Sequence, residues 1–396
     1  MIKFFRLGFI IIPIITLFIS CSDNPSSVGS GLIQDQDKIS FNLFDSKTEN
    51  IQQRSFTYIP EKFKIGNGGE FIVGKNDYSE SRILLQFNLG MPDSTWTRFK
   101  NNTIAVKSAE VKIITSYSLG DKNAPFDFTV NQIKNPWGMY TVDKDSLSKL
   151  MTSNVDISSN HSFVADTITF NIDSKVVTEW LNSELDTNNT RNYGIIINPT
   201  SSTKLMRGFA NPFSSSTNYC TITFEMERIP KTTSNDFLSS IPSKGTFVVK
   251  ELKAPATNNL YLQSGYSRRN FLWFDLSKLS KNIIVSKATL EMTSDTTISS
   301  DGSPSSNQVT VTMFADSTTK KFTADSLYSS ALMKSGAVYS GDVSWMIQKW
   351  ASGTDNQGVE LILADETASV SRIAFWGSNA SDLNKRPRLK IYYTKK

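Results

Sequence analysis

The stretch YSESRILLQFNL at residues 78–89 returns later in the chain as YSRRNFLWFDL at residues 266–276. Both begin with Tyr-Ser, place an arginine ahead of a short apolar run, and carry a phenylalanine near the end of that run. An apolar run of this length, without helical spacing, is typical of a buried β-strand. The pair therefore predicts that one strand-rich unit occurs twice.

Five further blocks match in the same order. They are VKSAEVKI (106–113) with VSKATLEM (285–292), FTVNQI (128–133) with VTVTMF (309–314), DSKVVTEW (173–180) with VSWMIQKW (343–350), GIIIN (194–198) with GVELI (358–362), and TITFEM (221–226) with LKIYYT (389–394). A shared order of this kind is hard to obtain by chance, so the sequence predicts two copies of one domain.

From residue 39 onward, short alternating segments are separated by Asn, Asp, Gly, Ser or Pro, and no long helical periodicity occurs. This pattern predicts an all-β protein with antiparallel sheets and short helical turns. We expect domain 1 at residues 39–228, with an added N-terminal segment that supplies an extra strand. A Ser/Thr-rich stretch with two prolines predicts a linker at 229–245, followed by domain 2 at 246–396.

The ordered blocks resemble the DNRLRE family of bacterial and archaeal β-sandwich domains. The second copy carries the family pattern at Arg269, Phe274, Asp275, Leu276, Ala288, Leu290, Trp350, Gly358, Arg386, Pro387, Arg388 and Leu389. The first copy departs from it, because Asn88 replaces the Asp, and Tyr219 and Cys220 stand where Pro387 and Arg388 would be.

This resemblance covers roughly residues 60–228 and 246–396. It implies two tandem antiparallel jelly-roll-like β-sandwich domains, as found in cell-surface and polysaccharide-processing proteins. Some relatives are carbohydrate-binding modules for acidic polysaccharides such as alginate.

The N-terminus has the features of a secretory signal. Lys3 and Arg6 precede an apolar run at residues 7–19, which is too short to cross a bilayer. The following FISC resembles the lipobox of bacterial lipoproteins, with Phe18 where Leu is usual. The resemblance implies that residues 1–20 are removed and that Cys21 carries acyl chains such as palmitate. The alternative is a plain signal peptide followed by a chance cysteine.

Residues 21–38 are rich in Ser, Gly, Asp and Pro, which predicts a flexible tether. The expected partner is thus a membrane, contacted through the N-terminal lipid. Ser22 is not the Asp that retains enterobacterial lipoproteins at the inner membrane, which favours the outer membrane of the cell envelope.

Composition excludes some classes of protein. The formal net charge is +5 and falls to +3 without Lys3 and Arg6, and no basic cluster is present, so we expect no nucleic-acid partner. Besides Cys21 the chain has only Cys220, so the folded part has no internal disulfide. Cys220 alternates with polar residues and is expected to be a small buried hydrophobic residue.

The sequence predicts no enzymatic activity. His161 is the only histidine, and it lies outside any nucleophile motif, whereas serine triads and cysteine–histidine pairs need a histidine base. Paired carboxylates for glycoside hydrolysis stay open, because their separation in space is not visible in a sequence. We expect no cofactor; the Asp/Asn-rich loops at 186–190 and 355–357 would suit a structural calcium ion.

Aromatic and arginine side chains supply the candidate binding residues. Trp180 and Trp350 recur in both copies, which favours a packing role. The tryptophans that differ between the copies are candidate carbohydrate-binding platforms: Trp137, Trp273, Trp345 and Trp376. Their alternative role is to cover the edges of the sandwich. Arg82 and Arg269 are candidates for recognising a carboxylate ligand, with a structural role at the sheet edge as the alternative.

Together these features predict a cell-envelope lipoprotein that displays two non-catalytic modules, which bind polysaccharide or mediate surface adhesion. Two alternatives remain: a structural envelope protein that assembles with other surface proteins, and a polysaccharide-degrading enzyme.

Overall fold

The structure is a computed structural model. It describes residues 41–61, 63–150, 154–186, 191–213, 219–256, 258–318 and 323–395. These residues form mostly β-structure in several antiparallel sheets, which confirms the predicted all-β class at this level. The predicted signal peptide, the predicted lipid site Cys21 and the predicted tether lie outside the described residues.

The strands up to the middle of the chain are β1 (Phe41–Asp45), β2 (Gln53–Tyr58), β3 (Glu70–Lys75), β4 (Ser79–Phe87), β5 (Ile104–Ile114), β6 (Tyr117–Leu119), β7 (Phe128–Gln132), β8 (Ser158–Val164), β9 (Thr167–Ile172), β10 (Ile195–Pro199), β11 (Met206–Ala210), β12 (Cys220–Arg228), β13 (Asp236–Ser240) and β14 (Pro242–Glu251). The later strands are β15 (Leu260–Gln263), β16 (Arg269–Phe274), β17 (Ile283–Thr293), β18 (Gln308–Asp316), β19 (Thr323–Ser335), β20 (Val338–Asp342), β21 (Val359–Leu363), β22 (Arg372–Phe375) and β23 (Arg388–Lys395). The helices are α1 (Asp93–Lys100), α2 (Leu147–Leu150), α3 (Ser174–Leu185) and α4 (Ser344–Ala351).

Two units can be distinguished by their strand pairing. The first unit comprises residues 63–251, and the second comprises residues 41–58 together with 260–395. In the first unit, one sheet has the order β6-β11-β3-β4-β10-β7, with β14 also paired to β4, and a separate sheet has the order β13-β12-β5-β9-β8.

The second unit has one continuous sheet in place of two. Its order is β1-β23-β17-β20-β19-β18-β21-β16-β2, beside the small pair β15-β22. The long strand β19 pairs with β20 near its end and with β18 along most of its length, so it joins the two halves. Buried residues from both halves meet in one core, which requires the sheet to curl.

The repeat predicted from the sequence is visible in the strand register. Ile196 lies opposite Leu84 between β10 and β4, and Glu360 lies opposite Phe271 between β21 and β16, as the matched blocks require. The last block differs by one residue. Phe224 faces Ala109 as Ile391 faces Ala288, so LKIYYT must move by one position against TITFEM. Such a shift matters, because it moves every side chain to the opposite face.

The strand pairing also differs from the predicted domain boundaries. The N-terminal segment does not add to domain 1; β1 pairs with β23 and β2 with β16, both in the second unit. The predicted linker 229–245 contains β13 and the start of β14, which pair with β12 and β4 of the first unit. Alternation along a strand shows which face is buried, but it carries no information about which sheet the strand joins.

The two units pack directly on each other. Val370 of the second unit belongs to the core of the first. The partly buried ion pair between Arg268 and Glu251 joins the units, with guanidinium Nη2 to carboxylate Oε2 at 2.7 Å. The Tyr117 hydroxyl of the first unit lies 3.2 Å from the Ser369 hydroxyl of the second. The boundary is therefore a packed interface.

Candidate functional site

The two units present equivalent sheet faces that are covered differently. In the first unit this face belongs to strands β14, β4, β10 and β7; in the second it belongs to β2, β16, β21 and β18. In the first unit an apolar cluster covers the face: Leu84, Ile133, Trp137, Val142, Leu147, Leu150, Ile196 and Val248. The segment between β7 and β8, which includes α2, supplies much of this cover.

In the second unit a cleft of about 770 Å³ opens on this face. We call it the Trp273 cleft. It is lined by Gln53, Arg54, Ser55, Phe56, Phe271, Trp273, Ser317, Thr318, Asn356, Gln357 and Ser378. Strand pairing places Arg54 beside Trp273 and Phe56 beside Phe271, so two strands far apart in sequence build one wall.

The aromatic rings of the Trp273 cleft are held in a fixed arrangement. Phe56 stacks on Phe271 with ring centroids 4.8 Å apart and an interplanar angle of 22°. Phe56 is 42% exposed, whereas Phe271 is buried beneath it. The Arg54 guanidinium lies 4.2 Å from the centre of the Trp273 ring, a cation–π contact. The indole Nε1 of Trp273 donates to the Asn356 carbonyl at 3.1 Å, which fixes the ring plane.

Polar groups surround these rings. The Ser55 hydroxyl donates to the Ser378 hydroxyl at 2.9 Å, and the Ser317 hydroxyl donates to Gln357 Oε1 at 2.6 Å. Gln53 Oε1 is buried with no hydrogen-bond partner among the described residues, although a buried acceptor normally has one.

The charge in the Trp273 cleft is positive. Among the described residues that line it, none is an Asp or Glu. Within the described part of the chain, the Arg54 guanidinium contacts the Trp273 ring and has no carboxylate partner. A planar guanidinium of this kind can donate two parallel hydrogen bonds to a carboxylate.

Arg269 lies on the same strand as Trp273 but has a different role. Its Nε and Nη2 each donate to Glu366 at 2.8 Å, and its Nη1 donates to Glu360 at 3.2 Å. Glu360 is buried and also accepts from the Tyr58 hydroxyl, and burial together with this bond raises the pKa of Tyr58. Both carboxylates thus hold Arg269 in a closed cluster. The guanidinium of Arg269 is thus engaged by carboxylates of the protein itself.

The other candidate residues lie apart from the Trp273 cleft. Trp137 is buried, with its Nε1 donating to the Tyr193 carbonyl at 2.8 Å, so its faces are not available. Trp345 packs from α4 against the second core. Trp376 is half-buried under Lys385, whose Nζ lies 4.4 Å from the ring centre. Arg82 pairs with Glu80 at 2.6 Å.

Sequence reasoning missed Arg54 and Phe56. Their segment, QRSFTY, alternates polar and apolar residues, so its strand was visible. The sequence did not show that this strand lies beside Trp273, because the partner strand begins more than two hundred residues later in the chain.

The histidine His161 lies beside a serine and an aspartate. His161 Nε2 lies 2.8 Å from the Ser158 hydroxyl, and Nδ1 lies 3.8 Å from Asp127 Oδ1. The Ser158 hydroxyl donates to Asp156 at 2.6 Å, so its proton is not directed at the histidine. The distance to Asp127 exceeds a hydrogen bond. This geometry lacks the proton path of a serine nucleophile.

No group of three or more His, Cys, Asp or Glu side chains that would hold a metal occurs among the described residues. Most of the predicted calcium loop at 186–190 lies outside them. In the part of the chain that the structure describes, no helix has both the length and the apolar character needed to cross a membrane.

Comparisons with known proteins identify no family for this chain. No protein-family model matches it, and no curated protein matches it. Among solved structures, it shows similarity to the C-terminal domain of the AgI/II polypeptide BspA of Streptococcus agalactiae. That match covers 87% of this chain and 91% of the other, at 8% sequence identity and a TM-score of 0.18. A score this low supports neither a shared fold nor a shared function.

Proposed function

We propose that this protein is a non-catalytic lipoprotein of the cell envelope, with two DNRLRE-like β-sandwich modules of jelly-roll type, and that its second unit binds polysaccharide in the Trp273 cleft. The observation that carries the proposal is the difference between two equivalent faces. The first unit covers its face with an apolar cluster, whereas the second has exposed aromatic, amide, hydroxyl and guanidinium groups there.

The chemistry of the Trp273 cleft fits a sugar chain. Aromatic rings pack against the apolar side of a pyranose, and fixed polar groups bond its hydroxyls. Phe56 and Trp273 supply the rings, and Gln53 and Asn356 supply polar groups. Arg54 has no carboxylate partner among the described residues, so its guanidinium can bind a carboxylate of the ligand. This favours a polymer that carries carboxylates, such as alginate or pectate.

The test compares retention of the lipid-free mature chain on alginate, pectate and neutral glucans. We expect retention on the acidic polymers, weakened by salt because Arg54 acts through charge. Arg54→Gln and Phe56→Ala should each weaken binding by about tenfold or more, as for a central contact residue.

Tyr140→Ala is the matched control, because Tyr140 is an aromatic side chain of the first unit that is 65% exposed. It should leave retention unchanged. If no polysaccharide retains the wild type, or if Tyr140→Ala weakens binding as much as Phe56→Ala, the cleft is not the site. The structural envelope role then becomes the better proposal.

Anchoring through Cys21 is a separate part of the proposal, supported by the lipobox-like FISC sequence. The expressed wild type should fractionate with membranes and carry acyl mass. Cys21→Ser should lack that mass. A wholly soluble wild type without acyl mass would contradict the proposed anchor, but it would not affect the proposal that the Trp273 cleft binds polysaccharide.

A further inference from the structure

An exposed apolar face lies at one end of three adjacent strands of the second unit. Phe41 and Leu43 on the edge strand β1 are 74% and 53% exposed. Ile284 on β17 is 49% exposed, and Tyr392 on β23 is 43% exposed. We call these four residues the β1 patch.

The strand register places the β1 patch on a single face. Leu43 pairs with Tyr392, and Tyr392 pairs in turn with Lys287 across a bulge in β17. Phe41 and Ile284 both pair with Thr394. Paired residues point to the same side of a sheet, and the alternate residues Phe44 and Ile391 point into the second core. The patch is thus the outward face of the sheet.

Two lysines beside the β1 patch are unpaired. Lys281 and Lys287 are exposed, and neither has a carboxylate partner among the described residues. At the opposite end of the same strands, Arg388 and Lys390 are paired with Asp45 and Glu291. The apolar end therefore carries two free ammonium groups, whereas the cations at the other end are neutralised.

The repeat does not require such a surface. In the first unit, Glu225 occupies the position equivalent to Tyr392 and pairs with Lys107 at 2.7 Å. Phe237 on β13 is exposed there, opposite Glu225. The β1 patch is therefore particular to the second unit, where the chain enters from the N-terminus.

We infer that the β1 patch rests on an anionic bilayer and orients the protein on the membrane. Exposed Phe, Leu, Ile and Tyr side chains enter the boundary between headgroups and acyl chains, and nearby lysines attract anionic lipids. The inference rests on the proposed anchoring: nineteen residues separate Cys21 from Phe41, and even a fully extended chain of that length spans no more than about 70 Å. A lipid on Cys21 would therefore keep the β1 patch within that distance of the bilayer.

A second copy of the chain fits this face less well. A symmetric contact between two β1 patches would bring the same two lysines against each other, and like charges across an interface are unfavourable. The charge of the patch instead complements an anionic surface.

The experiment uses the mature chain with Cys21→Ser, so that no lipid contributes. It is mixed with vesicles of phosphatidylcholine alone, or of phosphatidylcholine and phosphatidylglycerol in equal amounts, and floated on a density gradient. The wild type should float with the anionic vesicles only. Lysines near an anionic surface contribute about fivefold each, so replacing Lys281 and Lys287 by Gln should weaken binding on the order of twenty-fold.

Leu43→Ser with Tyr392→Ser tests the apolar part, and Phe237→Ser is the matched control from the first unit. We expect the double variant to lose flotation and the control to keep it. Equal loss in the control, or no flotation of the wild type on anionic vesicles, overturns the inference. Concentration-dependent dimers that disappear in the double variant would also overturn it, in favour of a second copy. Acyl mass on Cys21 and retention on polysaccharide are measured separately, so failure here is distinguishable from failure of the proposed function.

Discussion

The attachment of the N-terminal strand to the second unit leads to a sharp prediction. β1 is only five residues long. Its Phe44 side chain packs in the core of the second unit and is 4% exposed. We expect Phe44→Ala to destabilise the second unit selectively, although Phe44 precedes the whole first unit in sequence. Under the domain boundaries predicted from sequence, the same change would affect the first unit.

The magnitude follows from the burial of the ring. Truncating a buried phenylalanine to alanine costs about 3–5 kcal/mol, from lost transfer free energy and from the cavity that remains. This is a large part of the 5–15 kcal/mol that stabilises a typical domain. Phe41→Ala is the matched control on the same strand, because Phe41 is 74% exposed and its loss should change stability by less than about 0.5 kcal/mol.

Hydrogen–deuterium exchange resolves which unit responds. In Phe44→Ala, amides of β23 and β17 should lose protection, while those of β4 and β10 keep it. Urea unfolding gives the accompanying loss of free energy. Loss of protection in β4 and β10 with none in β23 would refute the observed pairing, as would equal effects of Phe44→Ala and Phe41→Ala.

Three further predictions concern buried polar groups. The hydrogen bond from Arg388 lowers the pKa of Asp45, so the stability from this pair is present above the unfolded-state pKa of about 3.9 and is lost as pH falls through the folded value. Urea midpoints of the second unit should therefore fall on acidification, and less so in Asp45→Asn. Arg269→Met leaves the buried Glu360 and the nearby Glu366 without their cation and should cost about 3–5 kcal/mol in urea unfolding. Arg82→Met, at the equivalent position in the first unit, removes a single ion pair with Glu80 of the same strand and should cost less than about 1 kcal/mol; equal costs would contradict the closed cluster. Burial raises the pKa of the Cys220 thiol, so a thiol reagent should modify it only after unfolding, and rapid labelling of the native protein would contradict this.

The local pattern of apolar and polar residues was sufficient to predict several features of this molecule. The period-two alternation predicted antiparallel β-structure, and the ordered blocks predicted a repeat whose register recurs at Ile196 with Leu84 and Glu360 with Phe271. The tryptophans shared by both copies were expected to pack, and Trp180 and Trp350 do contact the two cores. These features depend on residues that are close together in sequence, because burying one face of a strand or helix requires apolar residues at a regular spacing.

The tertiary structure alone decided which strands complete which unit and which aromatic residues are accessible. The sequence did not distinguish Trp137 from Trp273 as candidate binding residues. In the structure, Trp137 is buried in the apolar cluster of the first unit, whereas Trp273 lies beside Arg54 in an open cleft. Arg54 and Phe56 join that cleft because β2 pairs with β16. Backbone hydrogen bonds in a sheet are the same for every sequence, so a strand's own residues predict its buried face, whereas its partner depends on how the whole chain packs.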